Sequence, residues 1–347
     1  AERQNKQPPE GLRATPAAVF ARDDRIRSPK ERAEIAEKVG VLIDLDRNTV
    51  CTAFCVGPDT VMTAGHCVYP TAGPGGARLD AIRYRQTLQT TTNDARIAGP
   101  GGRAAASSTL VGAKRLSLRP PIDAVSDWML IRLDRNVCPK GGLPLSRRST
   151  EDVLALARDM RVYNIAFHRD FEDFARAVSA PCDAPRTFDG ATWETISRDF
   201  RNAGGVILHT CDTGGSSSGS PLLFDGPDGP EVVGINVGTY LHSTVVTPAR
   251  ERQSASALPS TSREIANTAI AAHTVVDAVS AFMSAELVAT IAGRRRLQIR
   301  LAAAGDYSGP VDGKVSPNFT EAIRKAERRV GLPVTGLPTW NLLRRLD

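Results

Sequence analysis

The chain has 347 residues, 41% of them hydrophobic, with 44 Lys and Arg against 38 Asp and Glu. That length accommodates one large domain and a small one, the apolar fraction suffices for a core, and no run of 18 or more apolar residues exists to span a membrane. The formal net charge of +6 is concentrated at one end: from Glu286 onward 11 Lys/Arg face 6 Asp/Glu, which leaves +5 in the last 62 residues.

Residues 1–37 are polar, contain proline and two Arg-rich patches, and sustain no apolar period. They read as an extended or partly helical leader, either a prosegment-like element or an arm packed on the domain. The opening "AERQNKQPPE" lacks the basic and apolar segments of a signal peptide, so the protein is expected either not to be exported or to have lost its signal. Six cysteines (Cys51, Cys55, Cys67, Cys138, Cys182 and Cys211) form no CxxC pair and no zinc spacing. Disulfides in an oxidising compartment are the reading they favour over six buried thiols, which places the protein outside the cell or in the periplasm.

From Val39 to about Val246 short β-type runs ("VGVLIDL", "TVMTAG", "DWMLIRL", "RVYNIAF", "EVVGINVGTY") alternate with Gly/Pro turns such as "TAGPGGA" and "AGPGGRA". Strands at that spacing, without helical periods between them, predict an antiparallel barrel or sandwich. The segment "TAIAAHTVVDAVSAFMSAELVATIAG" then switches to an Ala-rich helical period that is expected to close the domain near residue 285. Between two apolar runs, "HTCDTGGSSSGSPLLF" (residues 209–224) holds three serines that read as a tight functional loop rather than a flexible linker.

Acyl transfer from a serine needs a base within hydrogen-bond reach, a carboxylate to orient the base, and N–H donors for the developing oxyanion. His66 ends an apolar strand in "VMTAGHCV", Asp127 begins one in "SDWMLIRL", and Ser218 stands in "SSGSP" before Gly219, whose missing Cβ is expected to admit a substrate backbone. These three segments, in the order His, Asp, Ser, resemble the trypsin-like (chymotrypsin-fold) serine peptidases. They are most similar to the bacterial branch that includes the glutamyl endopeptidases. The resemblance spans residues 36–285 and implies a mainly β fold, a double antiparallel β-barrel with a closing C-terminal helix and the site between the barrels.

By that resemblance His66 is general base and then acid, Asp127 fixes its tautomer, Ser218 forms the acyl-enzyme, and the backbone N–H groups of Ser216 and Ser218 form the oxyanion hole. Asp123 is the alternative carboxylate but lacks a following apolar strand, whereas His168, His209, His242 and His273 lack the "TAGHC" context and read as ordinary polar histidines. The family requires Gly directly after the nucleophile, which excludes Ser216 and Ser217 from that role. It usually has Gly where this chain has Ser216, so oxyanion stabilisation depends on the conformation of that residue. Ser217 stands where many animal members carry the Asp that pairs with a newly cut N-terminus, so activation by that ion pair is not expected.

The same resemblance pairs Cys51 with Cys67 and Cys182 with Cys211, leaving Cys55 for Cys138. Asp212, six residues before Ser218, has the spacing of the carboxylate that receives Arg or Lys in trypsins, with hydrogen bonding inside the loop as its alternative. Thr213, Asn236, Val237 and Gly238 complete the implied substrate-binding set. Glutamyl endopeptidases usually carry His at the position of Asn236, and specificity stays open. No metal or other cofactor is implied.

Residues 286–296 read as a basic linker containing "RRR" at 294–296, and residues 297–347 as three short helices. Leu297 and Leu301 share one face, Ala322, Ile323, Ala326 and Val330 another, and Trp340, Leu343 and Leu346 a third, with "VDGK" and "LPVTGLP" as turns. This tail resembles the type 1 peptidoglycan-binding domain. It departs from that pattern at "VSPNFT" and at Ala326 and Glu327, which replace an aromatic residue and Gln. The expected partners are a protein or peptide substrate and peptidoglycan or another anionic envelope polymer. Nucleic acid is not expected. A catalytically silent envelope-binding protein is the alternative reading.

Overall fold

The computed structural model describes residues 19–20, 22–69, 78–89, 94–98, 110–112, 116–117, 119–188, 191–241, 244–246, 266–284, 288, 291–332 and 334–346. The turn segments 71–77 and 99–104, and His242, lie outside the described residues.

Two antiparallel sheets carry the large domain. The first has the strand order Ala95–Arg96, Ile82–Arg85, Val39–Asp44, Thr49–Cys55, Thr60–Thr63, Met129–Arg132, Leu110–Gly112. It curls until its first strand meets Met129–Arg132, the strand before its last. Ile97 bridges Leu133, the Ala98 N–H donates to the Arg132 carbonyl at 2.8 Å, and the Asp134 N–H donates to the Arg96 carbonyl at 2.9 Å.

The second sheet runs Ile26–Arg27, Arg176–Val178, Val162–Phe167, Pro221–Gly226, Gly229–Leu241, Ala266–Ala271, Val206–His209, with Thr244–Val246 paired to the long strand. Its last strand is tied back toward Val162–Phe167. The Thr210 N–H donates to the Asp183 carbonyl at 2.9 Å, Cys182 bridges Val162, and a disulfide joins Cys182 to Cys211. The other disulfides are Cys51–Cys67 and Cys55–Cys138.

Apolar residues of both sheets merge in one core. Phe54, Met62, Leu130 and Ile131 of the first sheet share a cluster with Ile165, Leu223, Ile235 and Ile270 of the second. Burying aromatic and branched side chains at roughly 1.5–3 kcal/mol each is what holds the two barrels face to face.

Local structure departs from the sequence reading in three places. Thr150–Arg158 is a helix inside the β region; it starts with a capping box in which Ser149 and Asp152 exchange hydrogen bonds. Ala266–Ala271 is a strand despite its alanines, because it pairs on both sides, Ile270 opposite Val206 and Ile235. The expected closing helix is therefore confined to Val276–Ser284. The first tail helix begins at Ile291 and takes in Arg294–Arg296, so that part of the expected linker is helical.

The tail forms three helices, Ile291–Ala303, Pro317–Arg329 and Trp340–Leu346, around Leu297, Leu301, Phe319, Ile323, Leu342 and Leu343. Gln298 is fully buried, its carbonyl oxygen accepting from the Gly313 N–H at 2.7 Å. Leu337, in the turn before the last helix, joins the core cluster that contains Phe282 of the large domain.

Candidate active site

His66 lies on a single 3-10 turn, Gly65–Cys67, directly after the strand Thr60–Thr63. That turn is fixed by the Val68 N–H donating to the Gly65 carbonyl at 3.0 Å and by the Cys51–Cys67 disulfide. Asp127 ends another turn, Ala124–Ser126, just before the strand Met129–Arg132. Because Thr63 pairs with Met129, the residues just beyond one strand and just before the other arrive at the same end of the sheet.

The consequence is a buried, two-point contact. The Asp127 Oδ1 accepts the His66 backbone N–H at 2.9 Å, and Oδ2 lies 2.7 Å from the ring Nδ1. The carboxylate therefore holds both the backbone and the imidazole, with the proton on Nδ1 facing the acid. That leaves Nε2 as the acceptor; it is buried and has no hydrogen-bond partner among the described residues. Asp123 serves elsewhere, accepting the Ser117 N–H at 2.9 Å and pairing with Arg201 at 2.9 Å.

The serine loop is clamped against the His66 turn. The Thr52 N–H donates to the Ser218 carbonyl at 2.9 Å, and the Cys67 sulfur lies 3.8 Å from the same oxygen. Gly219 has φ +86, and a Cβ there would meet Thr63 Oγ1 at 2.2 Å and the Thr52 carbonyl at 2.3 Å. Its glycine is required by the protein's own first barrel.

Ser216 adopts φ 85, in the region that L-residues disfavour. Its carbonyl accepts the Thr52 hydroxyl at 2.9 Å, and its own Oγ is buried without a partner among the described residues. Among the described residues neither the Ser216 N–H nor the Ser218 N–H donates to a protein acceptor. Two donors two residues apart are thus uncommitted among the described residues, and an oxyanion hole requires two such donors to converge. Such a φ costs an L-residue on the order of 1–2 kcal/mol and persists only where neighbours over-determine it.

Asn236 is buried under the same loop. Its Nδ2 donates to Ser217 Oγ at 3.2 Å and to the Ser217 carbonyl at 3.3 Å, its backbone carbonyl accepts the Gly219 N–H at 2.7 Å, and its Oδ1 meets His209 Nε2 at 3.2 Å. Val237 marks a register shift against Ala266–Ala271, with Gly238 beyond it at φ 156. Thr213 is buried. Asp212, 1% exposed, accepts the Phe20 N–H on Oδ1 at 2.8 Å and the Asp24 N–H on Oδ2 at 2.9 Å; burial raises its carboxyl above the usual range.

Sequence reading missed the groups behind this loop. His168 is buried, and its Nδ1 accepts the Gly214 N–H at 3.0 Å; burial, helped by the Arg25 charge, lowers its imidazole to about 3. The Arg169 N–H donates to the Gly215 carbonyl at 2.7 Å. No local pattern flags these residues, because their partners lie some 46 positions away. Among the described residues two groups of metal-ligand type assemble, Cys51/His66/Cys67 and Cys182/His209/Cys211, and in each the two sulfurs are bonded to one another.

Two antiparallel barrels with a His–Asp pair and a serine loop at their seam define a chymotrypsin-type peptidase fold. The family model described as a trypsin-like peptidase domain matches residues 51–235, more than half of the 347, and the chain belongs to this family. A second model, a putative peptidoglycan binding domain, matches residues 291–346. A solved structure of a Glu endopeptidase in complex with MPD aligns with 76% of this chain and 97% of its own at 14% identity and a TM-score of 0.45. A putative OxPP cycle protein OpcA of Synechocystis sp. is 48% identical over 42 residues, 12% of this chain and 9% of that relative's length.

Proposed function

We propose that the chain is a serine endopeptidase using His66, Asp127 and Ser218, and that its tail holds it at peptidoglycan. The observation that carries this reading is the two-point hold of Asp127 on His66, whose Nε2 has no partner among the described residues and whose neighbour Cys67 lies against the Ser218 carbonyl. Ser218 Oγ attacks the scissile carbonyl carbon while His66 Nε2 takes the hydroxyl proton. The carbonyl oxygen, now anionic, is received by the Ser216 and Ser218 N–H groups; a single such donor contributes on the order of 100-fold or more in rate. The imidazolium, stabilised by Asp127, returns its proton to the leaving amine as the C–N bond breaks. A water then attacks the acyl-enzyme by the same route and frees Ser218.

Val237 and Gly238, on the strand beside the serine loop, are proposed to pair with the extended substrate backbone, with buried Thr213 and Asn236 shaping the site from beneath the loop. Attachment to the envelope is supported by the match of residues 291–346 to the peptidoglycan-binding model and by the tail's excess of Lys and Arg. No helix among the described residues is long and apolar enough to cross a membrane.

Cleavage of a mixed peptide library tests the activity. Products should form with the intact protein and vanish in His66→Ala; equal turnover by both would remove the triad, and none by either would favour a silent envelope-binding protein. Retention on purified peptidoglycan at physiological ionic strength tests the tail, since charge attraction alone is screened there.

A further inference from the structure

The serine loop is held by Asn236, His168 and Arg169 of the second barrel, and from two further sides, of which one is the first barrel. On that side Thr52 donates its hydroxyl to the Ser216 carbonyl and its N–H to the Ser218 carbonyl. On the other side lies the N-terminal segment, which runs along the second sheet through Ile26–Arg27 paired with Val178 and Ala177.

That segment closes on the loop through charge and backbone together. Asp212, six residues before Ser218, receives one amide from Phe20 and one from Asp24, so each of its oxygens accepts from the segment. Arg25 is buried and bridges Asp23 and Asp170, both at 2.7 Å. Gly214 sits hard against that ion pair: a Cβ there would come within 1.9 Å of Asp170 Oδ1 and 2.8 Å of Arg25 Nη1. Gly214 in turn donates to His168 and accepts the Ser217 N–H at 3.1 Å. The Gly214–Gly215 turn that precedes the strained Ser216 is therefore boxed by the segment.

A carboxylate that reads a substrate side chain must open onto the space which that side chain occupies. Asp212 is 1% exposed and makes no ion pair among the described residues. Removing it takes away the one side chain that accepts both the Phe20 and the Asp24 amide, and with it the tie between the segment and the loop. We propose that Asp212 is a positioning residue: with the Phe20 and Asp24 amides and the Arg25–Asp170 pair it straps the N-terminal segment beneath the serine loop, holds Ser216 in its positive-φ conformation, and takes no part in selecting the substrate side chain.

This inference rests on the reading of Ser218 as nucleophile, and its test keeps the two apart. Asp212→Asn, which retains one acceptor oxygen, and Asp212→Ala are compared with the intact protein in three measurements. The rate of covalent labelling by a small uncharged fluorophosphonate is expected to fall at least tenfold in Asp212→Ala and less in Asp212→Asn. In peptide cleavage kcat falls while KM moves less than twofold and the preferred residue before the cleaved bond is unchanged. Amide exchange in residues 213–218 accelerates at least tenfold while that of Thr49–Cys55 does not. A changed side-chain preference with an unchanged labelling rate would overturn the inference, as would unaltered exchange at 213–218. Should the intact protein not react with the fluorophosphonate, the nucleophile reading fails, and local exchange alone decides the strap.

Discussion

Asp127 grips His66 at two points, the backbone N–H at 2.9 Å and the ring Nδ1 at 2.7 Å, so one carboxylate sets both the position and the tautomer of the base. Asp127→Asn keeps an oxygen for the backbone N–H but presents an amide to the ring, which stabilises the wrong tautomer. The fluorophosphonate reaction rate should then drop by roughly 10⁴-fold with little change in thermal stability.

Ser216 is strained where glycine would not be. Ser216→Gly removes a positive-φ cost and adds backbone entropy to the unfolded chain, for a net gain of about 1 kcal/mol. Denaturant unfolding should show that gain, and the labelling rate should stay within about threefold of the intact protein, because the Thr52 hydroxyl contacts the Ser216 carbonyl and not its side chain.

Two buried histidines make stability depend on acid. His168, with Arg25, Asp23 and Asp170 around it, is lowered to about 3, and His209, beside Asn236, to about 4, each chiefly by burial. Unfolded, each titrates near 6.5. Between about pH 6.5 and pH 4 the unfolded chain therefore binds more protons than the folded one. Stability falls with falling pH by up to about 1.4 kcal/mol per unit for each histidine. His168→Gln, whose side-chain oxygen can still accept the Gly214 N–H, should lower that slope by about one proton in unfolding measured across pH 4–7.

Glu327 is a buried carboxylate in the tail, raised above its usual range by burial although it accepts the Thr335 and Gly336 N–H groups and the Thr335 hydroxyl. A folded-state value above the unfolded one means its stabilising contribution is present at low pH and is lost as pH rises. Glutamine can take the two N–H groups on its oxygen and donate to the Thr335 hydroxyl, which already accepts the Leu337 N–H. Glu327→Gln should unfold at a higher temperature than the intact protein at pH 7 and at the same temperature near pH 3.

Much of the site was legible because its residues stand at strand ends. His66 and Asp127 are each a few residues from an apolar run, and antiparallel pairing of Thr63 with Met129 converts that sequence placement into contact. The tail was legible for a similar reason, since helical spacing alone puts Leu297 beside Leu301 and Ile323 beside Ala326. What hid was set by distant partners. Asp212 meets Phe20 across 192 residues, and nothing near either residue in sequence announces the other. Ala266–Ala271 misled by composition, because pairing on both edges overrides the helical preference of alanine. The helix at Thr150–Arg158 had its signal in view, Ser149 three residues before Asp152, outweighed by the surrounding strands.

Mapping the site of fluorophosphonate attachment by mass spectrometry tests the central claim most directly. A single adduct on Ser218 is expected in the intact protein, lost in Ser218→Ala and strongly slowed in His66→Ala. Attachment that persists in Ser218→Ala, or an intact protein that takes no label, would contradict the assignment of a serine peptidase centred on His66, Asp127 and Ser218.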